Sequence, residues 1–139
     1  MNESIRWSVA SLSWLLYALA LLFPGFYVVQ GDEPPKPWIE GYLLLLLGPF
    51  GLLQGQVSWL ANPLLFWAWY RLMTRRYLLA TILALVGLVF AASFFLNHRF
   101  HDGSGMNTVA RTAAGYWLWL VSLVTTAVGA LACLRMSRK

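Results

Sequence analysis

The chain has 139 residues, 60% hydrophobic and 11% charged, with a net charge of +5. Soluble domains average about 45–50% apolar and about 25% charged residues, so this composition excludes an ordinary water-soluble domain. It also excludes a nucleic-acid reading of the basic balance, because the Lys and Arg residues flank apolar runs, and the single Cys133 excludes an internal disulfide or a CxxC site.

The charges leave four uncharged runs, 7–31, 41–70, 77–98 and 112–134. Each exceeds the roughly 20 residues that cross a bilayer core. Trp7–Val29 is the first predicted span, with Pro24-Gly25 kinking or ending it. Ala18-Leu19-Ala20 mimics a leader cleavage site, but the apolar run continues well past the roughly 7–15 residues of a leader core, which predicts a retained helix. The segment QGDEPPKPWIE, 30–40, follows as an acidic loop.

The run 41–70 is too long for one crossing, since thirty helical residues reach about 45 Å. Trp38–Leu47 is predicted as a short helix dipping into or lying in the outer leaflet. Gly48-Pro49-Phe50-Gly51 breaks it, because proline removes an amide donor and disfavours helix at the residue before it. Leu52–Tyr70 then crosses as the second span. Beyond Arg71, Arg75 and Arg76 comes the third span, Tyr77–Leu96, with Ala80, Ala84, Gly87 and Ala91 as a small packing face. The stretch NHRFHDGSGMNTVARTAAG reads as a second, solvated outer loop. Tyr116–Leu134 is the last span, with Ser122, Thr125, Thr126 and Ala130 as packing material and Cys133 as a small buried hydrophobe.

The predicted fold is therefore an all-α integral membrane protein with four transmembrane helices and a short broken or re-entrant outer-leaflet helix before the second. Lys and Arg mark cytoplasmic ends. With four spans, Arg71, Arg75 and Arg76 share the inner side with Arg135, Arg138 and Lys139, and the acidic loop lies outside. Both termini are then cytoplasmic. Trp and Tyr cluster near both ends of the spans, as interfacial belts do.

The polar residues of the second span are the candidate binding surface. On a continuous helix Gln54, Ser58 and Asn62 share one face, with Gly51 and Gly55 beside them and Trp69 further in. That stripe is either a helix–helix seam or the lining of a solute or lipid site. Pro63 also leaves the Trp59 carbonyl without its usual donor, for Ser58, Asn62 or a neighbouring helix to replace. No Asp, Glu, Lys, Arg or His falls within a predicted span, which argues against proton-coupled pumps, voltage sensors and intramembrane metalloproteases. His98, His101 and Asp102 form only a weak metal pattern, so no metal or other cofactor is expected. No triad, phosphate loop or catalytic carboxylate pair is visible, so an enzyme is not expected.

The segments WLANPLLFWAW and GYWLWL, with GPFGLLQGQ ahead of them, resemble small uncharacterised inner-membrane proteins of Gram-negative bacteria. The resemblance follows order and spacing over most of the chain. It implies a location and a fold, and no activity, cofactor or site residue. Together these readings predict a non-enzymatic bacterial inner-membrane protein that binds a protein partner, or itself, in or beside the bilayer. An accessory subunit and an immunity protein against a membrane-directed toxin are the two forms. The alternative is a small-solute or lipid carrier or channel with its site along the second span.

Overall fold

The first apolar run changes structure at its proline. In the computed structural model, which describes residues 2–96, 99–101 and 105–138, helix α1 (Asn2–Leu22) stops before Pro24. Pro24-Gly25 thus ends the helix, and the last residues of the expected span Trp7–Val29 form strand β1 (Phe26–Val29) instead. Aromatic and β-branched side chains suit a half-buried pleated surface, and Phe26 and Val28 are the inward pair. Strand β2 is Lys36–Pro37, β3 is Arg99–His101 and β4 is Met106–Thr112. All pair antiparallel in the order β2-β1-β4-β3. The two outer segments read as loops are thus joined in one small sheet, which an all-helical reading did not include. His98 and Asp102 lie outside the described residues, as does the side chain of His101.

The rest of the molecule is mostly helical. After α2 (Gly41–Leu52) and a 3₁₀ segment, Val57–Leu60, come α3 (Ala61–Met73), α4 (Tyr77–Ala92) and α5 (Ala114–Ser137). A second 3₁₀ segment, Ser93–Leu96, extends α4. Three stretches are long and apolar enough to cross a membrane: Glu3–Leu22, Tyr77–Leu96 and Ala114–Ser137. This is the build of a membrane protein. The pair α2 and Val57–Met73 passes the same test jointly but is bent by 118°.

Helix α1 packs along α5, α5 along α4, and α4 along α3. Ala80, Ala84 and Ala91 are fully buried on α4, and Gly87 brings α4 against Leu123 of α5, so the small face expected there is the packing face. Ala10, Leu72, Tyr77, Ala130 and Cys133 close the core at the end that carries the α3–α4 turn and both termini. That turn has the hydrogen bonds of a helix stop usually built on glycine: Arg76 N–H donates to the Arg71 carbonyl at 2.9 Å and Arg75 N–H to that of Leu72 at 3.2 Å. Here an arginine takes the left-handed position, Arg75 at φ 60°, and its guanidinium bonds Glu3 at the start of α1.

At the opposite end the sheet rests on the helices through a run of rings. Phe26 of β1 lies 5.2 Å from Phe94, and Phe94 lies 5.3 Å from Tyr116 of α5. Two glycines let backbones meet there. A Cβ on Gly41 would sit 2.3 Å from the Ala20 carbonyl, and one on Gly115 would sit 2.6 Å from that of Phe23.

Candidate functional site

The expected break at Gly48-Pro49-Phe50-Gly51 is not where the chain turns. Helix α2 runs through Pro49 to Leu52, and the reversal comes at 53–56. Pro49 has no N–H, so the Leu45 carbonyl lacks its usual intrahelical donor. Trp59 replaces it: the indole Nε1–H donates to the Leu45 carbonyl at 2.9 Å. Gly48 makes room for the ring, since a Cβ there would lie 1.7 Å from Trp59 Cδ1. An interior proline is therefore tolerated because a side chain 14 residues later satisfies the carbonyl it frees.

The same device repeats at Pro63. The Trp59 carbonyl, left without the Pro63 amide, accepts from Asn62 Nδ2 at 3.1 Å, one of the replacements expected from the sequence. Asn62 Oδ1 in turn accepts from the Tyr17 hydroxyl of α1 at 2.9 Å. One relay of hydrogen bonds therefore runs from α2 through Trp59 and Asn62 to α1. Buried polar groups in such a setting need partners, and these have them.

Between α2 and the other helices lies a cavity of about 780 Å³. Its walls are Tyr17 and Leu21 of α1, Leu44, Leu45 and Gly48 of α2, and Tyr116 and Trp119 of α5. Phe26, Val109 and Phe94 close it on the side of the sheet. No Asp, Glu, Lys, Arg or His lines it among the described residues. Ligand sites of this size are typically apolar with a few placed polar groups.

Four of the six candidate residues line this cavity: Gly51, Gln54, Ser58 and Asn62. They do so from a broken chain, not from one face of a continuous helix. Gln54 sits in the turn, Ser58 in the 3₁₀ segment and Asn62 in the first turn of α3. Gln56, outside the predicted stripe, also lines the cavity and donates to the Arg99 carbonyl of β3 at 3.5 Å. Gly55 sits in the turn after α2, its N–H donating to the Leu52 carbonyl at 3.1 Å. It has φ 79°, and a Cβ placed on it would meet no atom within 4 Å, so its role is to turn the backbone. The placing of Gly51 and Gly55 on one helix face is thereby corrected: Gly51 lies in α2 and Gly55 in the turn after it, and Gly51 faces the side chain of Gln56.

Trp69 belongs elsewhere. Its Nε1–H reaches Ser13 Oγ at 3.0 Å and Thr126 Oγ1 at 3.1 Å, between α1, α3 and α5. Ser13 and Thr126 lie 2.8 Å apart, and both approach the Ser122 carbonyl, at 2.9 and 3.0 Å. One hydroxyl proton goes to that carbonyl and the other to the neighbouring hydroxyl, so the cluster is satisfied internally. Sequence reasoning missed Trp59, the side chain that holds α2 in place. The signal was present in the two prolines, each of which strands a carbonyl and so demands a donor.

Searches against protein-family models, curated proteins and solved structures find no match to this chain.

Proposed function

We propose that this chain is a four-crossing membrane protein that holds an uncharged, chain-like molecule in the cavity beside α2, by binding and not by catalysis. Val57–Met73 supplies the fourth crossing, about 25 Å of helix packed along α4. Both termini and the arginine-rich α3–α4 turn face the cytoplasm across a bacterial inner membrane, and the sheet faces outward. The observation that carries the reading is the uncharged, mostly aromatic and aliphatic lining of a roomy cavity at the outer end of the helices. A charged solute would lose its hydration there without a counter-charge. The lining suits a hydrocarbon.

The exposed apolar side of α2, with Tyr42, Leu46 and Phe50 and with Leu53 just past its end, supports the competing reading of a membrane-protein partner or self-association. Mass analysis of the protein purified from its own membranes separates the two. The expected result is about one hydrocarbon-bearing molecule per chain, absent from a Leu44→Trp variant that obstructs the cavity beside α2 and still unfolds cooperatively. Wild-type protein with no bound small molecule but a stoichiometric protein partner would sink the cavity reading. Reporter fusions after Arg76 and Lys139 should be active inside, and fusions near Lys36 and Gly103 outside; an outward Arg76 fusion removes the four-crossing arrangement.

A further inference from the structure

The polar groups around the cavity differ in what they have left to offer. The Tyr17 hydroxyl, both ends of the Asn62 amide and the Trp59 indole N–H are engaged in the relay. The Tyr116 hydroxyl donates to the Ala91 carbonyl at 3.1 Å. Two donors are left over: the Trp119 indole N–H, buried with no partner among the described residues, and the Ser58 hydroxyl. Ser58 lines the cavity, is only 9% exposed, and its hydroxyl has no hydrogen-bond partner among the described residues. Ser93, Ser122 and Thr81 each bond a carbonyl of the preceding turn, the usual resort of a helical hydroxyl in apolar surroundings. Ser58 does not.

The position of Ser58 narrows the partner. Two residues before it, Gln56 is tied to the Arg99 carbonyl of the sheet, so Ser58 lies beside the sheet and not at mid-bundle. Resting on the cavity reading above, this places Ser58 at the level of the outer interface, where phospholipid ester carbonyls lie. A hydroxyl that opens onto an apolar cavity without a partner gains from a carbonyl acceptor placed there. The uncharged lining keeps a headgroup out and admits a chain.

We infer that the cavity takes one acyl chain of an outer-leaflet diester phospholipid, with the ester carbonyl accepting a hydrogen bond from Ser58 and the headgroup remaining outside. The test uses lipids that differ only in that carbonyl. Delipidated protein in detergent is titrated with dioleoyl phosphatidylethanolamine or with its diether analogue, and thermal stabilisation gives the apparent affinity. The diester should bind about tenfold more tightly, the worth of one hydrogen bond of about 1.4 kcal/mol. Ser58→Ala should bring the diester down to the diether, Ser58→Thr should restore the difference, and Leu44→Trp should abolish stabilisation by both. Equal affinity of the two lipids for wild type, with both lost in Leu44→Trp, overturns the Ser58 assignment and leaves the cavity reading standing. Stabilisation unaffected by Leu44→Trp overturns the cavity reading itself. Stronger stabilisation by ubiquinone than by the diester overturns the choice of a phospholipid.

Discussion

Two tryptophans in one chain segment use the same indole N–H for opposite ends. Trp69 donates into a cluster of Ser13 and Thr126 that joins three long helices, packed against the rings of Tyr17 and Trp14. Trp59 donates to a carbonyl that only a proline has made available, and it holds a helix with no buried residue. The first region has polar groups that satisfy one another and leave no space. The second has polar groups that repair a broken backbone and leave a cavity. Polar residues in an apolar chain therefore serve packing where they meet each other, and open a site where they meet interrupted backbone.

The sharpest way to break this contrast is to attack the joint between the two regions. Gly115→Leu would drive a side chain into the Phe23 and Pro24 carbonyls, neither of which can move without unseating α1 from α5. It should cost about 3 kcal/mol, read as thermal unfolding in detergent, and tolerance of this change would mean the joint is loose. Gly55→Ala comes next, at about 1 kcal/mol, because it forces a side chain into a left-handed conformation without meeting any neighbour. An isosteric fit is not at issue there, so Gly55→Asn should recover part of the loss.

Smaller effects sharpen the comparison itself. Trp69→Phe should lower global stability by about 0.6 kcal/mol, the average for an interhelical hydrogen bond in a membrane. Trp59→Phe should barely change global unfolding, because α2 can detach locally while the long helices remain packed. Its signature is instead faster amide hydrogen exchange over 41–52, with 114–137 unchanged. Accelerated exchange in both segments would mean that the two regions are one cooperative unit. The least effect belongs to Lys36→Ala. Hydrogen bonding to Lys36 and its charge hold the exposed Glu33 carboxyl below its ordinary value, so that contribution is present above the usual carboxylate range and lost as pH falls through the lowered value. At neutral pH the variant should melt with wild type, as exposed pairs contribute little.

The long helices were legible because their signal is local. Uncharged runs bounded by arginines give α4 and α5 within a few residues of their observed ends. The sheet was not, because its central pairing joins Phe26 to Thr112, with most of the chain between them. Within a run already long enough to span, the β-branched and aromatic character of Phe26–Val29 reads as more apolar helix. The turn was misplaced for a related reason. Pro49 is a local breaker, but the donor that rescues its helix is Trp59, outside any window that judges Pro49 by its neighbours. Ser58 and Asn62 were recognised as unusual for an apolar run. That one would be satisfied and the other left open could only come from the partners the fold brings to them.

The Trp59–Leu45 bond also dictates an order of assembly. A membrane chain is inserted from its N-terminus, so Gly41–Leu52 leaves the ribosome before Trp59 does. Until then the Leu45 carbonyl has neither an amide nor an indole to bind, and burying it in hydrocarbon is costly. The cheapest place for α2 to wait is the aqueous rim of the bilayer. The Gly41 end can dock at Ala20 of α1 and at Phe23 beforehand, but the Leu45 turn is satisfied only once Val57–Leu60 has followed, and so that wall of the cavity is built late.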